Sequence, residues 1–453
     1  MRLIRLLKND LAKETTGWVE KHIISPEQAV QICAQYGIDY HNQNKRSYGY
    51  FILTILGFLF VGLALITIIG ANWEDIPRPI RMIGLISLTL LVNLIGIHKV
   101  SQAENTAAIA IFFLGGLFYG ASIMLIAQIY HIGEHYPDGV FWWAIGVFPL
   151  ALLMRSSLLM LLATVLGYIW FFTESSLHFY PTLFPVFLIA LAWHCFSVKQ
   201  SSVLFLMLIS GACFWLEYSL SWLLGDFQHF NAGIENIFAA IFIFIFLYGF
   251  ATRLVGATNT TLKDYGTLLG VWVLRFTLLS LFIFSFREPW NGILSAEWQS
   301  PIVTLALAAF LAISAIWMTH RSKKALSIIV AVSLLFVAIL LLVIFYPDMI
   351  SYSNTIPYRE SMGYRLSTPL QLIDNIVLVL SGIGLIVQGV HHSITHYFFL
   401  GIITILLTAM LRYIDLIGNY IGAALLFAVF AAILLSAARF WKSHHLKQKA
   451  VTS

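Results

Sequence analysis

The chain is dominated by apolar stretches of membrane-spanning length, which follow one another from residue 49 almost to residue 440. A transmembrane helix needs about 20 mainly apolar residues, and a soluble domain carries about 25% charged residues. Here 60% of the residues are hydrophobic and 10% are charged. We therefore predict an all-α fold, a polytopic transmembrane helix bundle with about 14 spans, within a range of about 12–14. The predicted spans are 49–71, 80–97, 106–128, 139–154, 157–173, 181–197, 203–224, 236–254, 266–286, 302–319, 325–346, 369–388, 396–411 and 417–440.

The basic residues alternate between dense and sparse loops, which indicates the orientation of the spans. With the N-terminus inside, the inner segments hold 19 of the 26 Lys and Arg residues and the outer loops hold 6, while Arg275 lies within a span. Cytoplasmic loops of membrane proteins carry this kind of excess. We therefore predict that both termini are cytoplasmic and that the number of spans is even. The two sides are called inner and outer in this sense.

The residues outside the spans divide into a head and a tail. We predict a cytoplasmic helical hairpin over residues 1–48, the transmembrane bundle over 49–441 and a basic cytoplasmic tail over 442–453. The second helix of the hairpin should begin after Ser25, because Ser25, Pro26 and Gln28 stand at the N-cap, first-helical and capping-box positions. Such a head can pack against the bundle or dock another membrane protein.

The charge and cysteine content exclude several classes of function. The net charge is +5 and the basic residues cluster at membrane edges, so no basic face can follow a phosphate backbone and no nucleic-acid partner is expected. Cys33, Cys195 and Cys213 lack the spacing of a metal site or a disulfide framework, and we interpret them as reduced packing residues. We predict no cofactor, and membrane lipids are the expected partners.

Short motifs near both ends of the chain resemble those of one membrane protein family. Asn72-Trp73-Glu74-Asp75 follows a glycine-rich first span, Gln128-Ile129-Tyr130 closes the third, and Arg412-Tyr413-Ile414-Asp415 follows the thirteenth. Over about residues 15–160 and 370–440 the chain resembles the bacterial family called domain of unknown function 2157, although Ile414 replaces that family's usual aromatic residue. The resemblance implies a multi-pass protein of the bacterial inner membrane and no particular substrate. The family-motif residues that it implies are Asn72, Trp73, Glu74, Asp75, Gln128 and Tyr130.

Arg275 is the strongest single candidate for a functional residue. It lies near the middle of the span 266–286, where an arginine costs about 2.5–3.5 kcal/mol on insertion scales. We therefore expect Arg275 to face the bundle interior or water and to be paired, with Glu217 or Asp374 as partner. A buried structural ion pair and a substrate or proton pathway are both open interpretations.

Charged residues near the outer surface provide two further candidates. Arg412 and Asp415 stand at i and i+3, so they can form a boundary salt bridge or an outward-facing anion clamp. Glu74 and Asp75 adjoin in the first outer loop, where polytopic glycosyltransferases that use lipid-linked sugars carry a catalytic acid. A tight turn closed by prolines is the simpler interpretation, because the loop has only about nine residues.

One histidine string matches a zinc motif. His131-Ile132-Gly133-Glu134-His135 has the H-x-x-E-H pattern of inverzincins, which requires both histidines on one continuous helix. Gly133 lies inside the string and Pro137 follows it, and both residues interrupt helices. We therefore predict interfacial histidines here and no metal site.

Three classes of function remain. Because buried ionisable groups in spans usually serve function, we favour a transporter- or flippase-like protein for an envelope lipid or another small amphiphile. A non-catalytic scaffold or assembly subunit, which would dock another membrane protein through residues 1–48, is the alternative. An enzyme built on Glu74 and Asp75 has the least support, and no catalytic residue is assigned.

Overall fold

The computed structural model describes residues 15, 17–35, 56–57, 60, 76–133, 135–296, 298–319, 322–349, 358–391, 394–415 and 428. Within these ranges the regular secondary structure is helical, with no β-strand. The chain divides into two compact units, Met1–Gly84 and Leu85–Ser453. The first and last predicted spans lie almost entirely outside the described residues, as do the first helix of the head and the motif 72–75.

In the first unit, helix α1 (Pro26–Gln35) begins where the capping motif predicts. The Ser25 hydroxyl accepts a hydrogen bond from the Gln28 backbone N–H at 3.3 Å, and the Ser25 N–H donates to Gln28 Oε1 at 2.9 Å. The Ser25 hydroxyl also lies 2.7 Å from Glu27 Oε2, and this hydrogen bond lowers the pKa of Glu27. Both orphan donors of the capping box are therefore satisfied. On the opposite face, Ala29 and Cys33 are fully buried.

The other helices of the described residues follow one another from Arg78 to Asp415. They are α2 (Arg78–Ser101), α3 (Asn105–Tyr130), α4 (Pro137–Leu153), α5 (Ser157–Ser176), α6 (Phe184–Trp193, continued by a π-helical turn His194–Val198), α7 (Ser202–Leu224), α8 (Ile234–Val255), α9 (Thr260–Phe284), α10 (Arg287–Ser295), α11 (Pro301–Thr319), α12 (Lys323–Met349), α13 (Tyr358–His391) and α14 (Thr395–Asp415).

These helices confirm a multi-pass membrane protein. Nine of the described helices are long and apolar enough to cross a membrane, and three shorter apolar helices lie at 137–153, 184–198 and 325–341. Together they account, one for one, for the twelve spans predicted between residues 80 and 411. Large apolar side chains on their outward faces are exposed, as in Leu90, Leu91 and Leu94 of α2, which suits contact with lipid tails.

Two features of the outer side differ from the sequence prediction. The segment after α9 was expected to be a loop but forms the short helix α10, because Trp290, Ile293 and Leu294 bury an i, i+3, i+4 face. Helix α13 begins at Tyr358 and continues through Pro369, where the span was expected to start. The long outer loop predicted between residues 347 and 368 is therefore partly helical.

Helix α8 is the centre of the second unit. It packs most extensively against α11 and α9 and also contacts α12 and α7. A Cβ atom added at Gly249 would lie 2.9 Å from Ala315 Cα, and one at Gly266 would lie 2.6 Å from the Val255 backbone nitrogen. Small residues therefore let α8 meet its two main neighbours backbone to backbone.

The C-terminal helices α13 and α14 form a second closely packed pair. A Cβ atom at Gly401 would lie 2.6 Å from the Gly382 carbonyl oxygen, and one at Gly389 would lie 2.5 Å from the Phe398 backbone nitrogen. Helix α13 also contacts α9 and α10, so the outer ends of α9, α10 and α13 are neighbours. This neighbourhood brings the polar residues of the candidate site together.

Candidate functional site

A group of polar side chains, the outer polar cluster, lies where α9 ends. Its members are Ser285, Arg287, Ser367, Gln371, Asp374, Asn375 and Arg412. The last carbonyls of a helix have no partner within the helix, and here the Ser285 carbonyl accepts side-chain amides from the neighbouring helix. Gln371 Nε2 donates to it at 3.0 Å and Asn375 Nδ2 at 3.3 Å. The end of α9 is thereby held to α13.

The cluster contains three ionisable groups. Arg287 Nε donates to the buried Ser367 hydroxyl at 3.0 Å, and the Arg412 guanidinium lies over the Phe286 ring, 5.6 Å from its centroid. Asp374 is only 6% exposed and interacts electrostatically with Arg412. Asp374 Oδ2 accepts no hydrogen bond from the described residues. The cluster thus brings two guanidinium groups and one carboxyl group together near the outer ends of α9, α13 and α14.

The cluster unites two residues that the sequence singled out separately. Asp374 was expected to pair with Arg275, and Arg412 with Asp415. The structure brings Asp374 close enough to Arg412 for an electrostatic interaction, because α13 and α14 pack along their length. The pairing of Arg412 with Asp415 stays a prediction. The backbone of Asp415 lies in the last turn of α14, and its side chain is outside the described part of the structure.

Of the two positions expected for Arg275, the bundle interior and water, the structure excludes the bundle interior. Leu269 and Val273 bury the inward side of α9, which leaves Arg275 and Phe276 exposed. The Arg275 guanidinium lies over the Trp272 ring, 5.2 Å from its centroid. Among the described residues Arg275 forms no ion pair, so the predicted pairing with Glu217 or Asp374 is not formed.

Glu217 is held by an amide rather than by an arginine. Asn236 Nδ2 donates to Glu217 Oε2 at 3.1 Å, to the Glu217 carbonyl oxygen at 3.0 Å and to the Ser221 hydroxyl at 3.0 Å. Asn236 Oδ1 in turn accepts the Gly233 N–H at 3.2 Å. The side chain of Asn236 thus ties the first turn of α8 to the outer half of α7. Sequence reasoning missed Asn236, although its position in the first turn of a span was visible.

A cavity of about 450 Å³, the inner cavity, opens near the inner ends of α8, α9 and α11. Its polar lining includes Tyr248, Thr252, Arg253, Thr319 and Tyr397. Its described lining contains an arginine and no Asp or Glu. The cavity is therefore suited to an anionic group with apolar chains, since its other lining residues are mostly apolar or glycine.

The family-motif residues and the histidine string lie apart from the outer polar cluster in the chain. Gln128 and Tyr130 are both exposed in the last turn of α3. Residues 72–75 lie outside the described residues. Helix α3 ends at Tyr130, and His131 and Gly133 have φ angles of +54° and +106°, so the zinc-motif string is not one continuous helix, as expected.

Comparison with known proteins gives one match. No curated protein matches the chain, and no solved structure matches it. The family model described as "Predicted membrane protein (DUF2157)" matches residues 16–160, about a third of the chain. The range includes α1 to α4 and the start of α5, and it excludes Arg275 and the outer polar cluster. The resemblance drawn from the sequence motifs is thus confirmed over residues 16–160, which match the predicted membrane protein family DUF2157.

Proposed function

We propose that this multi-pass membrane protein moves an anionic amphiphile, such as an acidic phospholipid, between the two leaflets along the surface of helix α9. We also propose that it lies in a bacterial inner membrane with both termini in the cytoplasm, on the strength of the loop charges. The proposal is supported by positively charged groups at three depths: Arg253 at the inner cavity, Arg275 near the middle of α9, and the outer polar cluster.

Exposed Arg275 is the observation that carries the proposal. At 1.5 Å per residue it lies about 14 Å along the axis from Phe284 and about 22 Å from Thr260, close to the middle of the span. An arginine on a lipid-facing surface at this depth costs about 2.5–3.5 kcal/mol on insertion scales. Trp272 offsets part of this cost through a cation–π contact. An anionic head group that passes Arg275 would offset more of it.

The inner cavity supplies an entry point on the same face of α9. Thr267 and Val271 line the cavity, and Arg275 follows Val271 at i+4, so the three residues lie along one side of the helix. Arg253 lines the cavity from the last turn of α8, which in the proposed orientation would lie near the head groups of the inner leaflet. A lipid phosphate held at Arg253 would therefore face the side of α9 that carries Arg275.

The outer polar cluster supplies the exit. It begins at Ser285, the C-cap residue of α9, and contains Arg287 and Arg412 together with the carboxyl group of Asp374. Arginine binds phosphate through charge-assisted, often bidentate, hydrogen bonds. We propose that these two guanidinium groups receive the anionic head group at the outer leaflet.

A reconstitution experiment tests the proposal. The purified full-length chain is placed in liposomes that contain a fluorescent phosphatidylglycerol with its label on the acyl chain, and the accessible fraction is measured by adding a membrane-impermeant quencher. We expect wild-type protein to equilibrate the lipid between leaflets. We expect Arg275→Gln to slow this by about tenfold, which corresponds to about 1.4 kcal/mol of lost stabilisation. Arg155→Gln, at an exposed arginine between α4 and α5, is the matched control and should retain the wild-type rate.

Two results would contradict the proposal. One is equal rates for wild type and Arg275→Gln; the other is no lipid movement by correctly folded wild-type protein. The scaffold interpretation replaces the lipid-transfer one under two conditions. Neither wild type nor Arg275→Gln moves lipid, and a membrane protein co-purifies with the full-length chain but not with a chain that lacks residues 1–48.

A further inference from the structure

A separate group of metal-ligating side chains lies at the outer ends of α4 and α5, on helices that do not line the proposed lipid path. His135 precedes α4, Asp138 lies in the first turn of α4, and Glu174 lies in the last turn of α5. His135 Nε2 is 2.9 Å from Glu174 Oε2. One potential ligand atom from each of the three residues lies within 4.8 Å of the other two.

Glu174 is unusual for a carboxylate at the end of an apolar helix, because it is only 7% exposed. Trp170 Nε1 donates a hydrogen bond to Glu174 Oε1 at 3.0 Å, which fixes the carboxylate with Oε2 towards His135. Outer hydrogen bonds of this kind orient the ligands of metal sites. Because Glu174 Oε2 already contacts His135 Nε2, a divalent cation could take the place of a proton between the two residues and coordinate both.

The backbone brings the two residues of the α4 side to Glu174. Helix α3 stops at Tyr130, and the left-handed residues His131 and Gly133 turn the chain before Pro137 starts α4. The His135 carbonyl accepts the Asp138 N–H at 3.2 Å, which closes a turn with both side chains near α5. The His135 ring meets the Phe179 ring edge to face, with centroids 4.6 Å apart.

We propose that His135, Asp138 and Glu174 bind a divalent transition-metal ion on the outer side, with Zn²⁺ as the probe. One imidazole and two carboxylates are ligands that Zn²⁺ accepts, and three protein ligands leave a fourth position for water. In a tetrahedral site with bonds of about 2.0–2.1 Å, ligand atoms lie about 3.4 Å apart. The exposed side chain of Asp138 can close the remaining distance by rotation.

This ligand set differs from the H-x-x-E-H motif of the sequence. His131 caps the end of α3 in a left-handed conformation and does not belong to the group. The second carboxylate comes instead from Glu174, 39 residues after His135 in the chain. Spacing within one segment could not reveal it, because the packing of α4 on α5 creates the site.

The test is metal binding by purified, tag-free, full-length protein in detergent. Co²⁺ is titrated while the visible absorption of a tetrahedral cobalt site is recorded, and Zn²⁺ then displaces it. The variants are Asp138→Asn and Glu174→Gln, which keep shape but weaken the ligand. His131→Gln is the matched control, since it removes a neighbouring exposed histidine outside the group.

We expect wild type and His131→Gln to bind one equivalent, and the two ligand variants to bind at least about tenfold more weakly. Zn²⁺ should also raise the melting temperature of wild type but not of Asp138→Asn. If Asp138→Asn binds metal as tightly as wild type, or if folded wild type gives no tetrahedral cobalt spectrum, the proposal is overturned. Because Asp138 is exposed, its variant should fold even if Glu174→Gln does not.

Discussion

At the scale of single residues, Asn236 shows how one amide holds a carboxyl group inside an apolar bundle. Its Nδ2 atom donates hydrogen bonds to Glu217 Oε2, the Glu217 carbonyl oxygen and the Ser221 hydroxyl, and its Oδ1 atom accepts a hydrogen bond from the Gly233 N–H. Polar groups without partners are costly in hydrocarbon, so this arrangement lets a glutamate occupy a span. Glu217 accordingly belongs to the packing of α7 on α8 in our interpretation.

We predict that Glu217 and Asn236 are energetically coupled. Asn236→Leu should destabilise the protein by about 1–2 kcal/mol, because it removes the donors to Glu217. Once Glu217→Leu is present, Asn236→Leu should cost less, with a coupling energy of about 1 kcal/mol. A double-mutant cycle read by thermal unfolding in detergent measures this. Strictly additive effects would show that the hydrogen bond contributes nothing.

Arg275 and Asp374 show which part of a site the sequence can predict. The hydropathy pattern gives the position of each residue along its helix, because that position depends only on the local sequence. Their partners depend on the rotation of each helix and on which distant helices meet, and neither quantity is local. Arg275 therefore lies on the surface rather than inside, and Asp374 meets Arg412, 38 positions later in the sequence.

At the scale of helices, two kinds of contact join the elements. Glycine allows backbones to touch, as between Gly382 and Gly401 of α13 and α14. In the second kind, a side chain of one helix caps the start of another. Glu235 lies in the first turn of α8, and its Oε1 atom accepts hydrogen bonds from the backbone N–H groups of Gln299 at 2.6 Å and Ser300 at 3.0 Å, just before α11 begins. A carboxylate at a helix N-terminus also interacts favourably with the helix dipole.

We predict that Gly401→Ala separates α13 from α14 at a measurable cost. The new Cβ would lie 2.6 Å from the Gly382 carbonyl oxygen and 2.9 Å from the Ile386 nitrogen, so the backbones must move apart. Overpacking of this kind costs about 1–3 kcal/mol. Gly384→Ala is the control, because a Cβ there meets nothing within 4 Å. Equal melting temperatures for the two variants would contradict the close packing.

We predict that Glu235→Ala destabilises the protein by about 2 kcal/mol or more, since it strands two backbone donors at a fully buried carboxylate site. Glu288→Ala removes an exposed first-turn glutamate of α10 and should change stability by less than about 0.5 kcal/mol. Thermal unfolding of both variants in the same detergent makes the comparison. A similar small effect for both would mean that the Glu235 cap is energetically unimportant.

The helices also show which parts of the fold can be predicted from local sequence patterns. Long apolar runs predicted the twelve helices between residues 80 and 411, because each run must satisfy its own backbone hydrogen bonds in lipid. Helix α10 was missed because a nine-residue amphipathic segment with Pro289 in its first turn resembles a loop. Its burial depends on α13, which lies about 70 residues further along the chain.

At the scale of the whole molecule, the alternation of loop charge gives each loop a side. The connection between α6 and α7 contains Lys199 and should be cytoplasmic, whereas the connection between α7 and α8 contains no Lys or Arg and should lie outside. The two connections are separated by one span, so they must lie on opposite sides. They are therefore a direct measure of orientation.

We predict opposite labelling at Gln200 and Gln228, both of which are exposed. Each is changed to cysteine in a variant whose Cys33, Cys195 and Cys213 are replaced by alanine. A membrane-impermeant maleimide applied to intact cells should label Gln228→Cys, and should label Gln200→Cys only after permeabilisation. The reverse pattern would invert the proposed orientation.

The contact of Glu235 with Gln299 and Ser300 has a consequence for the biosynthesis of the protein. Helix α8 emerges about 65 residues before the segment that satisfies Glu235, which at about 5–20 residues per second is a delay of about 3–13 s. During that interval α8 lacks α11, the helix against which it packs most extensively in the finished protein. A chain whose synthesis stops between α9 and α11 therefore leaves this packing surface of α8 uncovered. We expect membrane proteases to recognise the uncovered surface and to degrade such incomplete chains.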